Sequence, residues 1–81
     1  MKATNIAPNL SRLRVEKNIS QQKLAEMLEA EGVHIHQTHV SAMERGTNMP
    51  SVQTLVALAK VLGVTVDELI DEPTITEPVA A

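Results

Sequence analysis

The sequence contains three closely spaced histidines in an H-x-H-x-x-H pattern: His34, His36 and His39. Of all the spacings in the chain, this one most directly suggests metal binding. Imidazoles two positions apart on an extended segment face the same side, and the third lies one turn further on, which suggests a zinc site. The pattern supplies no fourth ligand, and the chain contains no cysteine. We therefore expect no metal site here. A polar loop and a proton sensor remain as interpretations, because imidazoles near phosphates gain charge below about pH 6.5.

Two other combinations of side chains are of types that catalyse reactions. Glu29, Glu31 and Glu44 could act as acid and base, and Ser41 with His39 could act as nucleophile and base. A core of this size offers no enclosed pocket in which such groups would meet a substrate. We therefore expect a protein that is not an enzyme and that needs no cofactor.

A short predicted helix over residues 37–45 has an apolar side and a polar side. At about 100° per residue, Val40 and Met43 lie together and mark the buried side. The opposite side is small, hydrogen-bonding and singly basic: it carries Thr38, Ser41, Ala42 and Arg45, with Gln37 and His39 at its flanks. Short donors and acceptors at close approach suit the base edges in the major groove of DNA. The polar side therefore predicts contact with double-stranded DNA.

Five helices are predicted to position these side chains. Their bounds follow from apolar residues three and four apart and from residues typical of helix starts and ends: about 4–17, from Ser20 to Gly32, 37–45, from Pro50 to Gly63, and from Thr65 to before Pro73. Thr65 and Glu68 match a capping box at the start of the last helix. The pattern predicts an all-α domain over residues 4–70, followed by an acidic, flexible tail over 71–81.

The segment between the second and third helices has a different pattern. Val33-His34-Ile35-His36 alternates apolar and polar residues, which is typical of an extended segment. We expect Val33 and Ile35 to be directed toward the core.

The composition limits the classes of partner. The chain has no Phe, Trp or Tyr, which argues against binding single-stranded nucleic acid by stacking bases on aromatic rings. The longest apolar run, Leu55 to Ala59, is too short to cross a bilayer, and residues 1–10 lack the apolar stretch of a signal peptide. We expect a cytoplasmic protein with no membrane partner.

The charge is distributed unevenly along the chain. The net charge is −3, but residues 1–63 carry seven Lys or Arg and five Glu, whereas residues 64–81 carry five acids and no base. The mildly basic body is compatible with DNA binding through one local face, and the net negative charge argues against strong sequence-independent binding.

The order of motifs over about residues 10–70 resembles the lambda repressor and Cro-like helix-turn-helix family, also called the xenobiotic-response-element family. The motifs are Leu13-Arg14, Ser20-Gln21-x-x-Leu24-Ala25, Val40-Ser41-x-x-Glu44-x-Gly46, Pro50-Ser51-x-x-Thr54-Leu55 and Leu58-Ala59-x-x-Leu62-Gly63-Val64. The resemblance implies a five-helix domain that binds DNA through its third helix.

The resemblance also implies roles for single residues. Gln21 matches a glutamine that contacts phosphate, and we expect Lys23 beside it to do the same. Glu44 is implied to pair with Arg14 of the first helix, and the loop after the third helix is implied to reach the DNA. Together with the polar side of the third helix, the expected DNA contacts are Gln21, Lys23, Gln37, Thr38, His39, Ser41, Ala42, Arg45, Thr47 and Asn48.

Two features depart from the family pattern. The connection over residues 29–36 is about five residues longer than the tight turn that the family normally uses. Either the second helix runs an extra turn or the connection loops out. In addition, His36 stands where the family has a serine cap, and imidazole is a weaker acceptor for the first amides of a helix.

The resemblance and the polar side of the third helix predict a transcriptional regulator, specifically a repressor that binds a palindromic operator as a homodimer. Two copies would address half-sites about 34 Å apart. Met49, Val52, Val56 and Val66 are candidates for the dimer interface, or else they complete the core. The alternative is an antitoxin or adaptor of the same fold, whose acidic tail binds a basic protein partner.

Overall fold

The computed structural model describes residues 6–71, which form five α-helices and no strand. The helices are α1 (Ile6–Glu16), α2 (Gln21–Ala30), α3 (Gln37–Arg45), α4 (Val52–Leu62) and α5 (Val66–Ile70). This confirms the prediction of an all-α, five-helix domain. The expected beginning of the domain at residue 4, and the acidic tail beyond Asp71, lie outside the described residues.

Side-chain caps fix where the helices begin. Ser20 and Ser51 accept hydrogen bonds from the third backbone N–H groups of α2 and α4, at 2.9 and 3.2 Å. Thr65 and Glu68 form the predicted capping box: the Thr65 hydroxyl accepts from the Glu68 N–H, and the Glu68 carboxylate accepts from the Thr65 N–H. Because unpaired N–H groups at a helix start are costly, these contacts hold each boundary at one residue.

The core is aliphatic and lies between all five helices. Its fully buried members include Leu10, Leu24, Leu28, Leu58, Leu62 and Leu69. Helix α3 packs against α1 and α2, while α5 packs against α1 and α4. A helix of nine residues is marginal in isolation, so α3 depends on these two neighbours for its stability and orientation.

A buried asparagine closes the domain between its first and last helices. Asn9 in α1 is almost fully buried, and its Nδ2 donates to the backbone oxygens of Leu69 and Asp71, at 2.8 and 2.6 Å. These carbonyls lie at the end of α5, where no intrahelical donor remains. Asn9 therefore ties α1 to a segment that is about sixty residues away in the sequence.

The long connection between α2 and α3 loops out, and α2 ends at Ala30 without an extra turn. Gly32 has a φ of 89°, a left-handed conformation that glycine adopts at low cost. After it, residues 33–36 form no helix or strand, and Val33 is buried and Ile35 packs partly buried against the core, as predicted. Glu31 Oε1 lies 3.0 Å from Lys60 Nζ, which joins the connection to α4.

Among residues 6–71, no helix combines the length and the apolar character that crossing a membrane requires.

Candidate nucleic-acid interface

Helix α3 is buried on one side only. Val40 and Met43 are its buried residues, as the angular count predicted. The residues expected on the opposite side remain accessible: Gln37, Thr38 and Arg45 are exposed, and His39, Ser41 and Ala42 are half-buried. The structure therefore brings the expected DNA-contacting residues of α3 onto one accessible surface, which we call the α3 face.

Arg45 is held to the α3 face by Ser41. Its Nη1 donates a 2.5 Å hydrogen bond to Ser41 Oγ, because residues four apart lie on the same side of a helix. The guanidinium carries five N–H donors, so this contact leaves the others available. The bond positions a planar cation with free donors at the end of α3, an arrangement suited to a phosphate or to guanine. The sequence placed both residues on this face but did not show that they are in contact.

An ion pair fixes α3 against α1. Arg14 Nε lies 2.5 Å from Glu44 Oε2, and Nη2 lies 3.2 Å from Oε1, so the contact is bidentate. The side chains are only 16% and 7% exposed, respectively. Arg14 Nη1 also donates to the Ile19 carbonyl, at 2.7 Å. Arg14 of α1 therefore binds both α3 and the turn between α1 and α2.

The pair also determines whether the negative charge of Glu44 is exposed on α3. A carboxylate on a helix that contacts DNA would repel the phosphates if its charge faced solvent. Because Glu44 is buried beside Arg14, its charge is neutralised inside the protein. Lys23 at the start of α2 and Arg45 at the end of α3 are exposed positive charges, and the exposed carboxylates of Glu26 and Glu29 line a groove with Gln37 at the start of α3.

Gln21, expected to contact phosphate, has a second partner that the sequence did not reveal. Its Nε2 donates to Glu44 Oε1, at 3.1 Å. An amide nitrogen has two N–H donors, so one is engaged within the protein and one remains. Gln21 therefore links the start of α2 to the end of α3.

The two residues expected to reach DNA from the loop after α3 differ in what they can donate. Gly46 ends the helix in the left-handed conformation, with a φ of 81°. Thr47 then caps α3, since both its backbone N–H and its hydroxyl donate to the Ala42 carbonyl, at 3.0 and 3.1 Å. Asn48 is exposed and makes no hydrogen bond within the described residues. Within residues 6–71, its side-chain amide therefore has no partner.

The three histidines have different surroundings and do not share a common partner within the described residues. His34 Nδ1 lies 3.9 Å from the exposed carboxylate of Glu29, whereas His36 Nδ1 caps α3 by accepting from the Thr38 N–H, at 3.2 Å. His39 lies half-buried on α3. Within residues 6–71, no three residues among His, Asp and Glu form a group that could hold a metal ion.

Comparisons with known proteins agree with this geometry. A family model described as helix-turn-helix matches residues 10–69. The HTH-type transcriptional activator BcrR of Enterococcus faecalis is 36% identical over 61 residues, which make up 75% of this chain and 28% of the relative. The chain thus spans less than a third of the length of this curated relative. No solved structure gives a significant match.

Proposed function

The chain belongs to the lambda repressor/Cro-like helix-turn-helix family, and from this premise we propose that it regulates transcription by binding specific sequences of double-stranded DNA. The observation that supports this most is the placement of α3. Val40 and Met43 bury one side, Glu44 locks the helix to α1, and the α3 face is left accessible and polar. A helix presented in this way fits a major groove about 12 Å wide.

Within this proposal, the residues divide into two classes. Gln37, Thr38 and Ser41, with His39 and Ala42 beside them, contact base edges and determine sequence preference. The remaining expected residues contact the phosphate backbone and set the register: these are Gln21, Lys23, Arg45, Thr47 and Asn48. Because the backbone N–H and the hydroxyl of Thr47 both donate to the Ala42 carbonyl, Thr47 can donate to a phosphate only if its hydroxyl turns away from that carbonyl.

We propose that the protein binds a palindromic operator as a homodimer. Val52 and Val56 lie four residues apart on α4 and are 77% and 53% exposed, and Met49 precedes them in the chain and is half exposed. We call these three residues the α4 patch. Val66, the fourth interface candidate, instead packs partly buried against the core. Burying the α4 patch against a second copy removes apolar surface from water and supplies a second α3 for the other half-site.

We propose repression as the mode of regulation. Occupying an operator is sufficient to block a promoter, whereas activation also requires a productive contact with the transcription machinery. The relative from Enterococcus faecalis is named an activator, so activation is the alternative that a reporter assay distinguishes. The expected result is lower reporter expression when the selected operator overlaps the promoter.

The experiment that tests the proposed function is selection of bound duplexes from a random pool. We expect enrichment of one sequence with twofold symmetry. Arg45→Ala should weaken binding to the enriched duplex, whereas Arg12→Ala should not. Both substitutions remove one exposed arginine, but Arg12 lies beside Gly63 and Val64 at the turn between α4 and α5. An adaptor or antitoxin that does not bind DNA would enrich no sequence, and that result would contradict the proposal.

A further inference from the structure

His36 caps the start of α3, which is a structural role separate from any contact with DNA. Its Nδ1 lies 3.2 Å from the Thr38 backbone nitrogen and 3.2 Å from the Thr38 hydroxyl. The Thr38 N–H is among the first in α3, which have no acceptor inside the helix. His36 Nδ1 is the acceptor that satisfies it, so in this arrangement the atom carries no proton.

A protonated imidazole cannot serve as this cap. Both ring nitrogens of an imidazolium are donors, so the Thr38 N–H would lose its acceptor. The added positive charge would also lie at the positive end of the helix dipole. The caps of α2, α4 and α5 are the hydroxyls of Ser20, Ser51 and Thr65. Hydroxyls do not gain charge near neutral pH, whereas histidine does.

The charged groups that face His36 come from α2 and from its own segment. Glu26 and Glu29 line the groove that His36 and Gln37 also line. His34 is two residues away and lies 3.9 Å from Glu29. Both carboxylates are exposed, so water and salt weaken their attraction for an imidazolium. Neither carboxylate accepts a hydrogen bond from the Thr38 N–H, whose acceptor is His36 Nδ1.

We propose that His36 is a positioning residue for DNA recognition: its neutral imidazole stabilises the first turn of α3, and protonation removes that stabilisation. The inference rests on the proposed function, because Gln37 and Thr38 in this turn are proposed to contact bases. A first turn that has frayed must be ordered again when DNA binds, which lowers the apparent affinity. Acid therefore weakens sequence-specific binding.

The test is the affinity of the full chain for its selected duplex from about pH 5.5 to about pH 8, at constant ionic strength. The comparison is with His36→Asn, which retains a cap acceptor that does not titrate. The ratio of the wild-type dissociation constant to that of His36→Asn should rise on the order of fivefold toward acid pH. His36→Ala, which has no cap acceptor, should bind more weakly than His36→Asn at every pH.

Using this ratio removes the pH effects that both proteins share. His34→Gln is the matched control and should keep the wild-type pH profile. A ratio that stays constant across the pH range, with specific binding intact, overturns the role of His36 and leaves the proposed function standing. If the wild-type chain shows no sequence preference at any pH, the proposed function itself is wrong.

Discussion

Thr47 and Asn48 follow Gly46, the residue that ends α3, and they differ in the hydrogen bonds that remain available to DNA. The Thr47 hydroxyl already donates to the Ala42 carbonyl, and phosphates accept hydrogen bonds but do not donate them. Gln21 has likewise committed one of its two N–H donors to Glu44. Lys23 and Gln37 are exposed and make no side-chain hydrogen bond within the described residues. The internal partners of each side chain therefore decide which residues are free to bind DNA.

Lys23 is the residue whose expected contact with phosphate is simplest to isolate. Lys23→Ala should weaken binding to cognate and scrambled duplexes alike. It should also reduce the slope of log affinity against log salt by about one, because one fewer counterion is released. The measurement is a salt titration of binding to both duplexes.

Lys17→Ala is the charge-matched control for this experiment. Lys17 is exposed and lines the same groove as Arg12 beside the turn between α4 and α5. The control should leave the salt slope unchanged. An equal reduction of the slope by both substitutions would mean that net charge, and not a contact at the start of α2, determines the salt dependence.

At the scale of elements, α3 is a short helix that its neighbours hold in place. The Arg14–Glu44 pair joins it to α1, Gln21 joins it to α2, and two buried side chains fill the space between. Removing one partner of a nearly buried pair leaves a charge without its counterion, which costs more than the intact pair contributes. Loss of either partner should therefore lower the stability of the domain and also disturb the orientation of α3.

Glu44→Gln tests this coupling. The substitution keeps the shape of the side chain but leaves Arg14 without a carboxylate, and we expect the free energy of unfolding to fall by about 1–3 kcal/mol. Glu16→Gln is the matched control, because Glu16 forms an exposed pair with Arg12 at 3.2 Å. It should change stability by less than about 0.5 kcal/mol. Urea unfolding of both variants gives the comparison, and equal effects would contradict a locking role for Glu44.

The helices could be predicted from the sequence because their signals are local. A serine or threonine at the start and a glycine at the end act within a few residues, as Ser51 and Gly63 do for α4. The sequence leaves the path of residues 29–36 open, because its first residues could continue α2 whereas Val33 to His36 alternate as an extended segment does. Asn9 was missed entirely. Its partners lie about sixty residues away, and no local pattern indicates that a polar side chain will be buried.

The same limit applied to the candidate interface. Periodicity identified which side of α3 is exposed, because burial of Val40 and Met43 follows the helical repeat. It did not identify the hydrogen bonds from Arg45 to Ser41 or from Gln21 to Glu44. Those depend on side-chain conformation and on the packing of α2 against α3, which a single sequence does not specify.

At the scale of the whole molecule, Asn9 and the packing of α5 against α1 and α4 close one end of the domain. Within residues 6–71, no other segment covers the α4 patch. Apolar side chains four residues apart on an exposed helix face form a continuous stripe that a second copy can cover. Dimerisation then determines whether two α3 helices bind together, so association and DNA affinity should change in parallel.

Val56→Glu should therefore weaken both self-association and operator binding while the domain stays folded. The carboxylate would be desolvated in the dimer interface, and each copy would contribute one such charge. Val15→Glu is the matched control, because Val15 is 59% exposed on α1. Self-association is measured by sedimentation at micromolar concentration, and operator binding is measured with the selected duplex. Both should weaken for Val56→Glu and stay unchanged for Val15→Glu. A Val56→Glu protein that remains dimeric would exclude the α4 patch as the interface.

The most direct test of the central claim, that the α3 face determines sequence preference, is the base preference of Gln37→Ala. Glutamine pairs in bidentate fashion with adenine N6 and N7, so the substitution should cost about 1–3 kcal/mol at one position of each half-site and relax the preference there. Affinities are measured for the selected duplex and for its single-base variants. If Gln37→Ala weakens binding to all duplexes equally while Lys23→Ala changes the preferred base, α3 does not present this face to the bases.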